Sequence, residues 1–417
     1  MPADVVAADA SRVAGIDAQE VPMDVASAAG LPLAGIRVVE FGLLMAGPYG
    51  GRMMAELGAQ VIKIEPPAGE QNRGNPPLRN GYSAYFGQMN AGKHSVVLDL
   101  RTPEGVQAAR RLIAASDVLI ENNRPGAMER LGLGYARCAE LAPQLIYCSV
   151  SGYGQTGPRS SHAALAPIIN ADCGYDLAQL SYQAGATEPA TAGFYVADIL
   201  GGVAAFGAIC AALFRRHATG RGQHIDVSLF DSMVSILVMD LQLAQHGHGE
   251  EGLTFRPAKT SDGYVMIATV SQRNFVSAVR VAGRPELEHD HRFATVAARE
   301  ANKEELHDII EAWTSGRRSA EVEAAMRAAR VPCARYRTIA EVLTDPDTPS
   351  TTFRTVQDGA GRYKVAGMPF TLSEERGLQK EVLPVPELGD WTQKALTDIA
   401  GYSDQDAAHF ARGCSEA

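Results

Sequence analysis

The chain has 417 residues, enough for roughly two or three domains, and its 46% hydrophobic and 21% charged content is typical of a globular protein. The formal net charge of -10 is spread along the sequence, so nucleic acid and anionic membrane surfaces are not expected as partners. The 6 cysteines lie far apart, without the spacing of a metal site, and predict reduced thiols in a cytoplasmic protein that binds no metal.

Residues 1–32 differ in composition from the rest of the chain. They are rich in Ala, Val and Asp, and they lack the basic start and continuous apolar core of a signal peptide. We predict that they form a disordered or loosely packed N-terminal extension.

Beyond the extension, short β-rich runs alternate with segments of helical spacing. The runs "GIRVVEFG" at 35–42 and "QVIKIEPP" at 60–67 are strand-like, with apolar residues typical of buried strands. Further on, Thr102 and Pro103 mark a helix start, as N-cap and first helical residue. This alternation predicts an α/β domain over residues 33–245, with a parallel sheet covered by helices on both faces.

The carboxyl ends of the predicted strands are the expected place for a ligand. Open parallel sheets bind ligands there, outside the strand ends. Several segments after the strands combine Gly or Pro with polar residues, as in "ENNRPGAMER" and "SGYGQTGP". We therefore expect the functional site at this edge of the sheet.

The longest apolar stretch, at 199–214, predicts a buried helix. It has 16 residues with 3 glycines, short of the ~20 residues that a membrane span needs. Beyond residue 246 the pattern of strand-like and helical segments predicts a second, smaller α/β domain at 250–340. Residues 341–417 are expected to return to the large domain.

The segment after the first predicted strand lacks a dinucleotide-binding motif, and three further nucleotide and catalytic motifs are absent from the sequence. The glycines after the first predicted strand do not have the GxGxxG spacing of a dinucleotide-binding loop. GxxxxGK[ST], HExxH and GxSxG segments are also missing, and the histidines are scattered. NAD binding and serine hydrolase chemistry are therefore not favoured.

Longer segments carry a clearer signal, and seven of them occur in a fixed order along the chain. They are "GIRVVEFGLLMAGPYGGRMMAELGAQVIKIEPP", "NAGKHSVVLDLRTPEG", "DVLIENNRPGAMERLGLG", "IYCSVSGYGQTGP", "YVADILGG", "HATGRGQHIDVSLFDS" and "VPCARYRT". In order and spacing they resemble the class III CoA-transferases, the formyl-CoA transferase and CaiB/BaiF family. The resemblance is dense over residues 33–245 and looser over 330–395.

This resemblance implies a fold, an assembly and a chemistry. The fold is a Rossmann-like large domain built from both ends of the chain with a small domain inserted between, and the assembly is an interlocked homodimer. Coenzyme A enters as an acyl-CoA thioester, which an aspartate carboxylate attacks. The family's nucleophilic aspartate matches Asp198 in "YVADILGG". A simpler role for Asp198, as the N-cap of the apolar helix, is worth about 1 kcal/mol and is compatible with that chemistry.

The resemblance also suggests positions that contact CoA. They are Met45 and Ala46 in the first loop, Leu98 and Arg101 in "LDLRTPEG", Asn122 and Asn123 in "ENN", and Arg130 near the nucleotide phosphates. Family members often place a basic residue after the "IKIE" glutamate, where it stacks on adenine. Here Pro66 takes that position, and Arg73 is a nearby candidate to replace the missing side chain.

The expected reaction conserves the energy of the thioester. Asp198 attacks the acyl-CoA to give a mixed anhydride and CoA thiolate, an acceptor carboxylate displaces Asp198, and the thiolate then attacks the new anhydride. The N–H groups of Gly201 and Gly202 are candidates to stabilise the oxyanions. The Gly-rich segment "GHGEEG" at 247–252 is either a lid over the intermediate or a plain linker.

Two other functions stay open from the sequence. One is an acyl-CoA racemase, epimerase or isomerase of the same superfamily. A racemase needs an acid and a base on opposite faces of the α-carbon. The resemblance implies that its aspartate would lie in the loop after "GYGQTGP", where Ala166 is found, although Asp172 and Asp176 lie close by. A non-catalytic partner subunit of a hetero-oligomeric CoA-transferase is the third alternative, and the presence of Asp198 argues against it. The sequence does not specify the acyl donor or acceptor.

Overall fold

The structure is a computed structural model that describes residues 30–183, 185–247, 255–375 and 382–413. The chain divides into two compact units. The large unit comprises Met1–Val238 with Ser350–Ala417, and the small unit is Met239–Pro349.

A six-stranded sheet forms the centre of the large unit. The strands of this part of the chain are β1 Arg37–Phe41, β2 Gln60–Glu65, β3 Leu78–Arg79, β4 Tyr82–Ser83, β5 His94–Val97, β6 Val118–Glu121, β7 Ile146–Ser151 and β8 Gln223–Ser228. The sheet order is β5-β2-β1-β6-β7-β8 and all neighbours are parallel, while β3 and β4 pair separately as an antiparallel hairpin. The predicted α/β fold with a parallel sheet is therefore confirmed.

Nine helices connect or follow these strands within the described residues. They are α1 Ala46–Glu56, α2 Ala84–Asn90, α3 Pro103–Ala114, α4 Ala127–Arg130, α5 Tyr135–Leu141, α6 Ala166–Asp172, α7 Tyr175–Ser181, α8 Val196–Thr219 and α9 Leu229–Val234. The predicted start of α3 is confirmed, because the Thr102 hydroxyl accepts a hydrogen bond from the Gly105 N–H at 3.0 Å and Pro103 is the first helical residue.

Alternating residues of the strands fill two cores, one on each face of the sheet. On one face Val39 and Ile62 pack with α3 and with helices from the end of the chain. On the other face Val38 and Val61 pack with residues of α1 and α8. The strand order reverses beside β1, so the loops after β1 and β6 meet at the topological switch point where ligands of such sheets bind.

Helix α8 is longer and more exposed than the sequence predicted. It has 24 residues, and its most apolar 18-residue window has a mean hydropathy of 2.0, with 33% of that window buried. Length and composition alone would allow it to cross a membrane, but its buried residues pack on the sheet like those of a core helix. The prediction of a buried helix is wrong for the opposite face, where Val203 and Phe214 are 39% and 82% exposed.

The small unit has its own antiparallel sheet and core. Its elements begin at the boundary with the large unit and are α10 Val238–His246, β9 Ala258–Lys259, β10 Tyr264–Ile267, α11 Gln272–Val281, α12 Val296–Ala301, α13 Lys303–Thr314, α14 Ser319–Ala328, β11 Cys333–Arg335 and α15 Ile339–Thr344. The sheet order is β11-β10-β9, and Val265 packs with Ala278, Val322 and Met326.

The end of the chain returns to the large unit. Its elements are β12 Phe353–Asp358, β13 Gly361–Ala366, β14 Leu383–Pro384, α16 Thr392–Asp398 and α17 Asp404–Gly413. The Trp391 ring stacks on His94 with 4.2 Å between centroids, and the Thr392 hydroxyl accepts a hydrogen bond from the Val97 N–H at 3.0 Å. These contacts attach the terminal helices to strand β5.

Candidate active site

Asp198 lies in the first turn of α8, as the third residue of the helix. The helix starts at Val196, and the N-cap is Tyr195, whose side chain makes no capping hydrogen bond. The predicted N-cap role of Asp198 is therefore wrong, because Ala197 before it is already helical and is fully buried against the sheet. In the first turn the helix dipole still favours a negative charge on Asp198.

Glycines allow α1 and the first turns of α8 to pack closely. A Cβ atom at Gly202 would lie 2.8 Å from the Ala46 carbonyl oxygen, and one at Gly50 would lie 3.2 Å from the Gly202 carbonyl oxygen. A larger residue at Gly202 could not make this backbone approach. Because Gly202 follows Asp198 by about one helical turn, the packing brings the Asp198 turn to the N-terminus of α1.

The same helix start corrects a second prediction. Gly201 and Gly202 lie beyond the N-terminal N–H groups that α8 leaves without intrahelical partners. Their N–H groups are therefore not free to bind an oxyanion, as the sequence analysis expected. These glycines serve close packing instead: a Cβ at Gly201 would lie 2.3 Å from the Leu229 side chain.

The Asp198 carboxyl group is half-buried and lacks an ionic partner. No Lys, Arg or His forms an ion pair with it in the parts of the chain that the structure describes, and burial raises its pKa from 3.8 to about 6. The group is therefore largely ionised at neutral pH but poorly solvated. A carboxylate in this state is more nucleophilic than one covered by water or neutralised by a cation.

Tyr85 is a site residue that the sequence analysis did not identify. It lies in α2, and the pKa of its hydroxyl is raised to about 12 by burial and then by the negative charge of Asp198. Its hydrogen-bond partner Asn72 is buried and donates from Nδ2 to the Leu44 carbonyl at 2.6 Å. Tyr85 is therefore within range of the Asp198 charge, and its neighbour Asn72 binds the loop after β1. Ser83 is the residue in the sequence that could have indicated the position of Tyr85, because a serine N-cap there places Tyr85 in the first turn of α2.

Two asparagines hold the loop after β1: Asn72 binds Leu44, as described above, and Asn122 binds Leu43. Asn122, in the loop after β6, accepts a hydrogen bond from the Leu43 N–H at 2.7 Å and donates one to the Leu43 carbonyl at 2.8 Å. Leu44 has a φ of 61°, which for a leucine costs about 1–2 kcal/mol. Such strain persists where surrounding contacts hold it, and it is common at functional sites.

Comparison with known proteins now decides the family. The model described as CoA-transferase family III matches residues 33–392. The chain belongs to CoA-transferase family III. Membership of this family confirms the resemblance found in the sequence, and it shows that the protein is an enzyme.

Individual relatives match this chain over most of their own length. A succinate–glutarate CoA-transferase of Agrobacterium fabrum is 32% identical over 385 residues, which cover 88% of this chain and 96% of that protein. A succinyl-CoA–D-citramalate CoA-transferase of Chloroflexus aurantiacus is 32% identical, with 90% and 96% covered. A solved CaiB/BaiF family protein from Brucella suis is 32% identical with a TM-score of 0.74, over 88% of this chain and 99% of that one. The predicted CoA transfer between an acyl-CoA and a carboxylic acid is thus confirmed.

Several positions predicted to contact CoA lie around the loop after β1. Met45 is the N-cap of α1 and Ala46 its first residue, and both are buried. The side-chain amide of Asn122 makes two hydrogen bonds with the backbone of Leu43, as described above. Asn123 Nδ2 donates a hydrogen bond to the Phe41 carbonyl at 3.4 Å. Leu98 is 1% exposed within the core, so the structure does not leave it open to a ligand, and its contact with CoA stays a prediction.

The two predicted basic CoA contacts lie in separate segments that follow strands β5 and β6. Arg101 follows β5, its side chain is 84% exposed, and its guanidinium is paired with Asp99 at 2.8 Å. Arg130 is the exposed last residue of α4, after β6. Both positions are compatible with phosphate binding, and this role stays a prediction.

Arg73 has a structural partner rather than a free side chain. Its guanidinium donates two hydrogen bonds of 2.7 Å to the Glu65 carboxylate and lies 4.0 Å from the centre of the Phe86 ring. This clamp holds the segment after Pro66 to the end of β2. The structure therefore does not favour Arg73 as a substitute for the missing adenine-stacking residue.

The racemase alternative gains no support from the structure. Ala166 is the buried first residue of α6. Asp172, at the other end of that helix, is paired with Arg159 at 2.8 Å, which neutralises its charge. Asp176 lies in the first turn of the next helix, α7, as its second residue.

Other predicted features can be located only in part. Within the described residues, no three His, Cys, Asp or Glu side chains form a group that could hold a metal ion. The cysteines described there are free thiols, namely Cys138, Cys148, Cys173, Cys210 and Cys333. Cys414, residues 1–29 and all of the predicted lid or linker except Gly247 lie outside the described residues.

Proposed function

We propose that this enzyme transfers CoA from succinyl-CoA to another short dicarboxylic acid through an anhydride on Asp198. The observation that carries the proposal is the half-buried Asp198 carboxyl group, which has no counter-cation among the described residues and lies beside the N-terminus of α1. The dicarboxylate substrates are suggested by the two relatives above, whose names pair succinate or succinyl-CoA with a second dicarboxylic acid.

The proposed chemistry needs no net hydrolysis. The Asp198 carboxylate oxygen bonds to the thioester carbon, the C–S bond breaks, and its electron pair leaves on the CoA sulfur. The acceptor carboxylate then attacks the acyl carbon of this aspartyl anhydride, which frees Asp198 and forms an anhydride of the two substrates. The thiolate attacks the acceptor carbonyl of that anhydride, which yields the acceptor thioester and the donor acid.

Each attack creates an oxyanion, and two helix N-termini supply donors for it. The first N–H groups of α1, at Ala46 and Gly47, have no intrahelical acceptors, and neither do those of α8 at Val196 and Ala197. Fixed backbone donors at a site that excludes water stabilise developing charge effectively. The Tyr85 hydroxyl, near Asp198 and kept protonated at neutral pH, is a further candidate donor.

The decisive experiment follows the covalent state of Asp198. The protein is incubated with succinyl-CoA, trapped with hydroxylamine and digested, and the peptide containing Asp198 is analysed by mass spectrometry. A hydroxamate on Asp198, together with loss of transfer in Asp198→Asn and Asp198→Ala, is expected. Asp172→Asn serves as the control because that carboxylate is surface-exposed and paired. Full transfer activity in Asp198→Ala would exclude the aspartyl mechanism, and retained α-proton exchange would favour a racemase.

Substrate choice is tested separately. Succinyl-CoA, acetyl-CoA and formyl-CoA are each offered with glutarate, citramalate, oxalate and acetate. The proposal expects the highest kcat/KM for a dicarboxylate with succinyl-CoA. A preference for formyl-CoA or for monocarboxylates would contradict it while leaving the role of Asp198 intact.

We also propose that the enzyme is a cytoplasmic homodimer. Support comes from large apolar side chains that a single chain leaves 61–83% exposed, namely Leu165, Leu177, Phe194 and Phe214. Association of subunits removes such apolar side chains from water, which favours a dimer. Light scattering on the purified chain should give twice the mass of the chain, and transfer by this chain alone would argue against a non-catalytic subunit.

A further inference from the structure

Five polar side chains form a closed ring beneath the loop after β1. We call this group the ionic ring; its members are 0–4% exposed and are Glu40, Lys63, Glu70, Asn90 and Lys93. Glu40 and Lys63 are register partners on the adjacent central strands β1 and β2. Asn90 is the last residue of α2, and Glu70 and Lys93 lie before and after that helix.

The contacts of the ring run through every member. Lys93 Nζ donates to the two Glu40 oxygens at 2.9 and 2.8 Å and to Asn90 Oδ1 at 2.9 Å. Asn90 Nδ2 donates to Glu70 Oε1 at 3.2 Å. Lys63 Nζ closes the ring, 3.2 Å from Glu70 Oε2 and 3.3 Å from Glu40 Oε1. Two ammonium groups thus balance two carboxylates away from water.

Each lysine also sends one hydrogen bond out of the ring. Lys63 Nζ donates to the Gly42 carbonyl at 2.7 Å, and Lys93 Nζ donates to the Pro48 carbonyl at 2.8 Å. These carbonyls lie at the two ends of segment 42–48, which contains the loop after β1 and the first residues of α1. The segment that packs beside the Asp198 turn is therefore anchored at both ends by buried cations.

Stability alone does not explain such a group. Desolvation of four buried charges offsets most of their mutual attraction, so apolar side chains of similar volume often do as well. The fold also makes room for the ring: a Cβ at Gly51, inside α1, would lie 1.9 Å from Glu40 Oε2. A glycine within a helix costs about 0.5–1 kcal/mol relative to alanine.

We propose that the ionic ring is a positioning device that fixes segment 42–48 against Asp198 for the acylation step. The inference rests on the proposed role of Asp198 as nucleophile. The ring members do not touch the substrate. They act through the Gly42 and Pro48 carbonyls, and so through the N-terminal N–H groups of α1.

The first test removes one base and one acid together. Lys63→Met with Glu70→Gln keeps the buried charges balanced but deletes the bond to the Gly42 carbonyl. The matched control is Arg79→Met with Asp358→Asn, a 3.2 Å ion pair of the same unit whose other hydrogen bonds go to the hairpin of β12 and β13. Both double variants should lose stability. The ring variant alone should lose kcat, by about 10- to 100-fold, with a KM for the acyl-CoA within about threefold of the original.

The acylation rate of Asp198, measured by hydroxylamine trapping, gives the direct readout. Slow acylation in the ring variant with normal acylation in the control supports the proposal, and equal rates in the two overturn it. If the unsubstituted enzyme forms no adduct on Asp198, the proposed function fails first, and the positioning role fails with it. The two failures are therefore distinguishable.

A second variant covers the case in which the double substitution prevents folding. Gly51→Ala keeps every ring member and displaces the Glu40 carboxylate by the added methyl group. The variant should fold, because alanine favours the helix, and it should show the same selective loss of acylation. A folded Gly51→Ala enzyme that acylates Asp198 at the original rate overturns the proposal.

Discussion

Replacing Asp198 with asparagine should abolish CoA transfer and, at neutral pH, make the folded protein more stable. The carboxyl group is half-buried, the part of the chain that the structure describes gives it no counter-cation, and burial raises its pKa from 3.8 to about 6. The folded state therefore holds the proton more tightly than the unfolded chain does. Ionisation of Asp198 works against folding, and a neutral amide of the same shape removes that cost.

The size of the effect follows from the shift in pKa. A shift of about two units corresponds to about 3 kcal/mol when the group is fully ionised in both states, and residual contact with solvent reduces this to about 1–3 kcal/mol. The cost is complete above the folded pKa, falls as the pH drops through it, and vanishes below the unfolded pKa of 3.8. The gain from Asp198→Asn should therefore be about 1–3 kcal/mol at pH 7.5 and roughly half of that at pH 5.

Denaturant unfolding of both proteins at the two pH values measures this difference. Asp172→Asn is the matched control, because its carboxylate is exposed and paired with Arg159 at 2.8 Å. The control should change the free energy of unfolding by no more than about 1 kcal/mol, in the destabilising direction. An Asp198→Asn protein that is no more stable than the original at pH 7.5, or whose gain does not shrink at pH 5, would refute the reasoning.

Three further predictions concern the reaction rate. The kcat/KM for acyl-CoA should fall on the acid side of a single ionisation near pH 6, as Asp198 takes up a proton, and a flat pH-rate profile down to about pH 5 would contradict this. Tyr85→Phe should lower kcat by about 100-fold through loss of a hydroxyl near the developing charge, and steady-state kinetics showing an unchanged kcat would exclude that role. Gly202→Ala, whose Cβ would lie 2.8 Å from the Ala46 carbonyl oxygen, should slow acylation of Asp198 by about 10- to 100-fold. In the same trapping assay the control Gly193→Ala, which has no atom within 4 Å of the added Cβ, should leave the rate unchanged.

Features encoded by neighbouring residues could be predicted from the sequence. Thr102 and Pro103 mark the start of α3 because cap and first-turn chemistry need only adjacent residues. The start of α8 carries no such mark: its N-cap Tyr195 makes no side-chain capping bond, and tertiary burial of Ala197 decides where the helix begins. The predicted start was therefore late, and it assigned Asp198 to the wrong helical position.

Features that depend on distant contacts could not be predicted in this way. Glu40 and Lys63 sit in the apolar runs "VVEF" and "VIKI", where a charge ordinarily indicates a solvent-facing strand position. In the fold they lie side by side on central strands, buried, and they complete a ring with the last residue of α2 and residues before and after that helix. The amide of Asn122 likewise holds the backbone of Leu43, a partner 79 residues away, and the predicted contact of Asn122 with CoA stays a prediction.

The placement of charge in this unit explains how a rigid site can retain a free carboxylate. A lysine beside Asp198 would hold the loop after β1 in place, but it would also lower the pKa of the carboxylate and reduce its nucleophilicity. Instead Lys63 and Lys93 are neutralised within the ionic ring, and they reach the loop only through the Gly42 and Pro48 carbonyls. The pKa of Asp198 is accordingly raised by burial rather than lowered by a cation. Moving a positive charge from the ring to the neighbourhood of Asp198 should therefore stabilise the ground state and slow acylation, even with the loop unchanged.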